Sequence, residues 1–187
     1  APTIASSPAA AAPASAPKPG YAALAGPTVA LSQYKLDLWQ TEQGLPLNTV
    51  QALLQTRDGQ LWVGTAGGLA RLDGLRFRGF EQAQAPGMAS EPIFGLMEDR
   101  QGGLWIGHSQ GAARYRQGRF ETVIDAEHSG GRRIWAFAEA PDGTVWATDG
   151  QQHGYRVLPE TPPGKPAPRP AVSANGIHFD RHGTMWL

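Results

Sequence analysis

The residues whose types and spacing could do chemistry are few. His178, Asp180 and His182 stand at alternate positions. On an extended strand the two imidazoles and the carboxylate would share one face and offer a transition metal three ligands. Against that reading, His182 falls at a turn position that Asp58 and Gln101 hold in related segments, where side chains are solvated. Arg71 and Arg114 also recur at equivalent positions. They would either line a mouth that receives an anionic ligand or pair with carboxylates of a neighbouring segment, and structural ion pairs are the commoner case. Glu98 with Asp99, and Asp125 with Glu127 and His128, read as solvated strand ends and loops. No nucleophile elbow, phosphate-binding loop or dinucleotide fingerprint is present. Thr65-Ala66-Gly67-Gly68 is glycine-rich, but it lies between two strands and lacks the helix start that lets such a loop hold phosphate. No catalytic residue and no cofactor is expected, and the ligand-binding residues stay open.

The elements that would position these groups come from an internal repeat. Gln60-Leu61-Trp62-Val63-Gly64-Thr65 returns as Gly103-Leu104-Trp105-Ile106-Gly107-His108, as Thr144-Val145-Trp146-Ala147-Thr148, and as Thr184-Met185-Trp186-Leu187. The tryptophans advance in steps of 43, 41 and 40 residues. Gly59, Gly102, Gly143 and Gly183 each sit three residues before a tryptophan, where a hairpin turn needs positive φ. Val50, Ala52 and Leu54 alternate on one face of a strand. The unit reads as strand, tight turn, strand, Gly-Gly turn, strand and a fourth strand ending near Phe80. Four antiparallel strands in about 40–45 residues make one propeller blade. The fold class is therefore all-β, a partial β-propeller of about three and a half four-stranded blades with the last truncated. Repeats fall at about 33–80, 81–123, 124–171 and 172–187. Exposed tryptophans could stack on sugars or cations, but a large aromatic at one position of every blade is what packing against the next blade requires.

Composition narrows the function. Formal charge is zero and the pI about 7.2, which gives nucleic acid no electrostatic hold. There is no cysteine, so disulfides and thiolate zinc sites are excluded. No apolar run reaches the roughly 18 residues of a membrane span. Residues 1–32 form an Ala/Pro-rich segment expected to be disordered, and such a tail fits the mature end of an exported protein. Residues 33–187 are the propeller. In its third repeat, residues 159–170 hold six prolines where a fourth strand belongs, which reads as an exposed insertion. Tyr34-Lys35-Leu36-Asp37-Leu38-Trp39 reads as a lone strand that would latch the ring shut from another blade. Because the last repeat stops within its second strand, the sequence reads as an N-terminal fragment or a truncated frame.

Gly44-Leu45-Pro46-Leu47-Asn48-Thr49-Val50, Asp58-Gly59-Gln60-Leu61-Trp62-Val63-Gly64-Thr65 and Gly68 through Phe77 resemble the two-component regulator propeller repeat. The likeness is specific in the first two copies, loose in the third and partial in the fourth. It implies a periplasmic sensor propeller followed by a β-sandwich, a membrane helix and a cytoplasmic histidine kinase or diguanylate cyclase. The Asp-Leu-Trp-Gln-Thr-Glu-Gln-Gly-Leu-Pro opening is similar to those joined to diguanylate cyclases. The expected partners are the remaining blades and output domains of the full-length chain, a small-molecule or glycan ligand, and a second copy of the chain. The alternatives are a propeller lyase or lactonase, or a truncated propeller with no independent function.

Overall fold

The computed structural model describes residues 35–80, 92–149, 151, 153–157, 173 and 176–187. The Ala/Pro-rich segment at 1–32 and the proline-rich stretch at 159–170 lie outside the described residues. The chain divides into two units, Ala1–Asp37 and Leu38–Leu187. In the first, Lys35 and Asp37 pair at 2.8 Å.

The second unit is built from hairpins. β1 (Val50–Gln55), β2 (Leu61–Thr65), β3 (Gly68–Leu72) and β4 (Phe77–Gly79) pair antiparallel in that order. A second four-stranded sheet repeats the pattern with β5 (Ile93–Glu98), β6 (Leu104–His108), β7 (Gly111–Arg116) and β8 (Arg119–Ile124). One helical turn, α1 (Ala126–Ser129), leads to a three-stranded sheet of β9 (Ile134–Glu139), β10 (Val145–Asp149) and β11 (Gly154–Val157). β12 (His178–Phe179) and β13 (Met185–Trp186) open a fourth. This is the partial propeller of antiparallel blades read from the repeat. The turn glycines Gly59, Gly102, Gly143 and Gly183 take φ of 83, 81, 84 and 80°, which a side chain would strain.

First strands lie side by side, β5 against both β1 and β9, so each blade packs its face on the next. Trp62 shares a buried cluster with Ile93, Leu104 and Ile106 of the second blade, and Trp105 with Ile134, Val145 and Ala147 of the third. Both rings are buried, Trp146 is half-buried and Trp186 is 60% exposed. Packing against the next blade accounts for Trp62 and Trp105. Close approach sets the glycine after it: a Cβ on Gly107 would sit 2.4 Å from the Ile134 carbonyl oxygen.

The segment expected to latch the ring from another blade is unpaired among the described residues. Residues 35–40 form no strand, and Leu36 and Leu38 are 94% and 75% exposed. Alternation becomes a strand only where a ladder receives it, and no described strand pairs with this segment. A single turn of 3-10 helix, Thr41–Gln43, follows and closes on Gly44.

Candidate functional site

The residues singled out by sequence are not brought to one place. Arg114 is buried, and its Nη2 donates to Asp99 Oδ2 at 2.5 Å. The carboxylate that pairs with it belongs to its own blade, not to a neighbouring one. Its guanidinium lies 5.2 Å above Trp105, whose Nε1 donates to the same Asp99 oxygen at 2.8 Å. Asp99 Oδ1 accepts from the amides of Gln101 and Gly103. Burial alone would raise this carboxyl's pKa, but the Trp105, Gly103 and Arg114 donors outweigh it and hold it below the usual range. Asp99 is thus no solvated loop acid but the clamp of its blade. Glu98 is no bystander either, since it accepts from the Arg57 amide of the preceding blade at 2.8 Å. Arg71 lies 5.4 Å over Trp62 and 5.9 Å over Phe80. Neither repeated arginine is among the residues that line the cleft described below.

At the other sequence candidate, Asp180 Oδ1 accepts from the His182 and Thr184 amides and Oδ2 from Trp186 Nε1. Its acceptors serve the turn, repeating the role of Asp99. His178 stands on β12, and His182 Nε2 accepts from Arg181. Among the described residues no cluster of three His, Cys, Asp or Glu could hold a metal.

The structure instead forms a cleft at the opposite ends of the strands. The first strands β1, β5 and β9 each carry a bulge at their second residue. Val50 and Ala52 pair with Thr65 and Gly64, Ile93 and Gly95 with His108 and Gly107, and Ile134 and Ala136 with Asp149 and Thr148. The skipped residues are Gln51, Phe94 and Trp135. A bulge re-aims the side chain it skips, and here it brings Phe94 and Trp135 together across the blade boundary, ring centroids 4.7 Å apart. Arg133 lies 5.4 Å over Phe94 and 5.6 Å over Trp135. With Ser109, Gly130, Gly131, Arg132 and Gln151 these three residues line a cleft of about 840 Å³.

Arg132 is tethered. Its Nε donates to Gln151 Oε1 at 3.2 Å and stands 3.7 Å from Asp149 Oδ2, and its Nη1 reaches Tyr155 Oη and the Ser129 carbonyl. Asp149 has no exposed surface. It accepts from the Gln151 and His153 amides, from Tyr155 Oη at 3.0 Å, and contacts His153 Nδ1 at 2.9 Å. Burial works to raise its pKa, yet the amides, the Tyr155 hydroxyl and His153 hold it below the usual value. Sequence reading passed over this cluster. The available signal was the column three residues after the tryptophan, where Thr65, His108 and Asp149 place a buried polar group in each blade.

The two component regulator propeller family model matches residues 44–67 and 87–110. No curated protein matches the chain in sequence. Among solved structures, the extracellular domain of BT4673 from B. thetaiotaomicron, described as a one component system, aligns at 23% identity and TM-score 0.67 over 82% of this chain and 22% of its own. The extracellular domain of the hybrid two component system BT3049 from the same organism aligns at 19% identity and TM-score 0.55, over 76% of this chain and 19% of its own. Virginiamycin B lyase from Staphylococcus aureus, solved with quinupristin, aligns at 19% identity and TM-score 0.54, over 76% and 50%. At these identities the likeness shows the propeller fold. The chain spans about a fifth of the extracellular domains it resembles.

Proposed function

Starting from a chain that carries two-component regulator propeller repeats, we propose that it is part of the ligand-recognition propeller of an exported, membrane-anchored signalling protein, whose kinase or cyclase output lies in further sequence. The observation that carries this reading is the match of two successive repeats to that family model. The likeness to extracellular domains of signalling systems supports it. The cleft adds to it. Among the described residues its lining offers arginines, aromatic rings and the Gln151 amide, groups suited to holding a ligand. The lyase-like reading draws on shared fold alone and would need acid and base groups converging on that cleft. In the proposed protein further blades close the ring, and occupancy of the mouth is passed to domains across the membrane.

The test is the mass and location of the native product that contains Trp62 and Trp105, by immunoblot and mass spectrometry of fractionated source cells. A product several times larger, recovered with the inner membrane, is expected. A product no larger than this chain, or one confined to the cytoplasm, overturns the reading.

A further inference from the structure

We propose that the cleft between the second and third blades binds a small organic anion carrying a six-membered ring, with Arg133, Phe94 and Trp135 in contact with it and Asp149 positioning Arg132 beside them. This rests on the sensing role above and names what that site reads.

Charge gives the first half of the argument. Arg133 is exposed and has no carboxylate partner among the described residues. Arg132 is only partly offset by Asp149, and its Nη2 has no partner among the described residues. Among the described residues no acid lines the cleft, so Arg133 brings it positive charge that Asp149 does not offset. Shape gives the second half. Trp135 leaves 41% of its surface exposed and Phe94 is half-buried beside it, an apolar platform at a position where the bulge holds both rings. A guanidinium stacked on a ring has its faces covered while its N–H edge stays free to grip a carboxylate with two parallel bonds. An acid gripped by that edge would rest its ring on the same platform. Gly130 and Gly131 put no side chains in the way, and about 840 Å³ is the size of a small-molecule site. Inorganic phosphate would answer the charge and leave the rings bare, and a neutral ring would do the reverse.

Asp149 acts through Arg132. It is fully buried, fixed by two amides and the Tyr155 hydroxyl, and faces His153 and Arg132. Its carboxylate does not line the cleft.

Titration of the purified native product, followed by calorimetry and tryptophan fluorescence, tests this with four probes: benzoate, glucuronate, glucose and inorganic phosphate. At least one acid should bind, and glucose and phosphate should bind about tenfold more weakly or worse, as loss of one charged hydrogen bond implies. Benzoate above glucuronate identifies an aromatic acid, and the reverse order a sugar acid. R133A should raise the Kd of the acid about tenfold. Asp149→Asn should weaken it too, but should add nothing on an R132A background, whereas a purely structural role would add independently. If Asp149→Asn does not fold, Gln151→Ala, which removes the acceptor of Arg132 Nε, takes its place. Equal binding of glucose and glucuronate, an unaffected R133A, additive effects in the cycle, or no binding of either acid overturns the proposal. Failure of both acids in a large, membrane-recovered product sinks this inference and leaves the sensing role standing; a small product sinks the sensing role whatever it binds.

Discussion

Replacing Asp99 by alanine should strongly destabilise the second blade. Its two oxygens receive four donors: the amides of Gln101 and Gly103, the Trp105 indole and the Arg114 guanidinium, at 2.9, 2.7, 2.8 and 2.5 Å. Side-chain exposure is 4% for Asp99 and 6% for Arg114, so water cannot take over the lost bonds. Arg114 Nε already has no hydrogen-bond partner. Removing the carboxylate would leave a buried cation held by ring stacking alone, and breaking a buried pair this way costs about 3–5 kcal/mol. For a chain of this size that is a Tm loss of about 6–20 °C. Urea and thermal melts followed by tryptophan fluorescence measure it. A second variant isolates the cause. D99A combined with Arg114→Leu should recover a large part of the loss, because the stranded charge is gone. The third blade supplies an internal control: Ala140 holds the equivalent position there, and its arginine, Arg156, is exposed. A D99A loss below about 1 kcal/mol, or a double variant no better than the single one, would refute the clamp.

Gly107→Ala should cost about 1–3 kcal/mol by overpacking the second and third blades, since the new methyl would meet the Ile134 carbonyl at 2.4 Å; the same melts report it. Arg57→Ala should cost no more than about 1 kcal/mol, because its side chain is 59% exposed and its pairing with Glu98 is screened by water; a loss of its stability effect in high salt would check the electrostatic part. Asp58, Asp73, Asp99, Asp142, Asp149 and Asp180 all hold folded-state pKa values below the ordinary 3.8, Asp73 at about 2. A group whose folded pKa is depressed stabilises the fold above its unfolded pKa, so Tm should be flat from neutral pH to about 5 and fall steeply through about 4 to 2. A Tm that stays level to pH 2 would contradict this.

The blades were legible because their signals are local and periodic. Trp62 and Trp105 with their turn glycines state strand, turn and strand in every copy, and packing against the next blade follows from the repeat itself. The site was not legible for the same reason. Phe94 and Trp135 align with Gln51, three unlike residues in one column, and only the skipped pairing of the bulge shows that they share an exposed mouth. Asp99 looked like a surface acid because the Trp105 and Arg114 side chains that cover it come from other strands of its blade, which no local pattern announces. Arg71 and Arg114 recur in register, yet one rests on rings and the other on a carboxylate, since Thr56 stands where the second blade has Asp99.

The blade boundaries carry a pairing of their own at the end away from the cleft. Arg57, five residues before its tryptophan, meets Glu98, seven before the next; Arg100 repeats this with Glu139, its amide donating at 2.8 Å and its Nη1 reaching the Pro141 carbonyl at 2.9 Å. At the third boundary both partners change together. Pro141 replaces the arginine and Phe179 the glutamate, and the proline packs so close to Gly183 that a Cβ there would lie 2.8 Å from Pro141 Cγ. The first strands β1, β5 and β9 are therefore held to one another at their C-terminal ends by this contact, while their N-terminal ends bear the bulged residues. A ligand resting on Phe94 and Trp135 would touch the second and third blades at the end the clasp leaves open. Its binding energy would then couple to the spacing of two blades, which is the kind of differential contact a recognition module needs if occupancy is to be felt beyond the cleft.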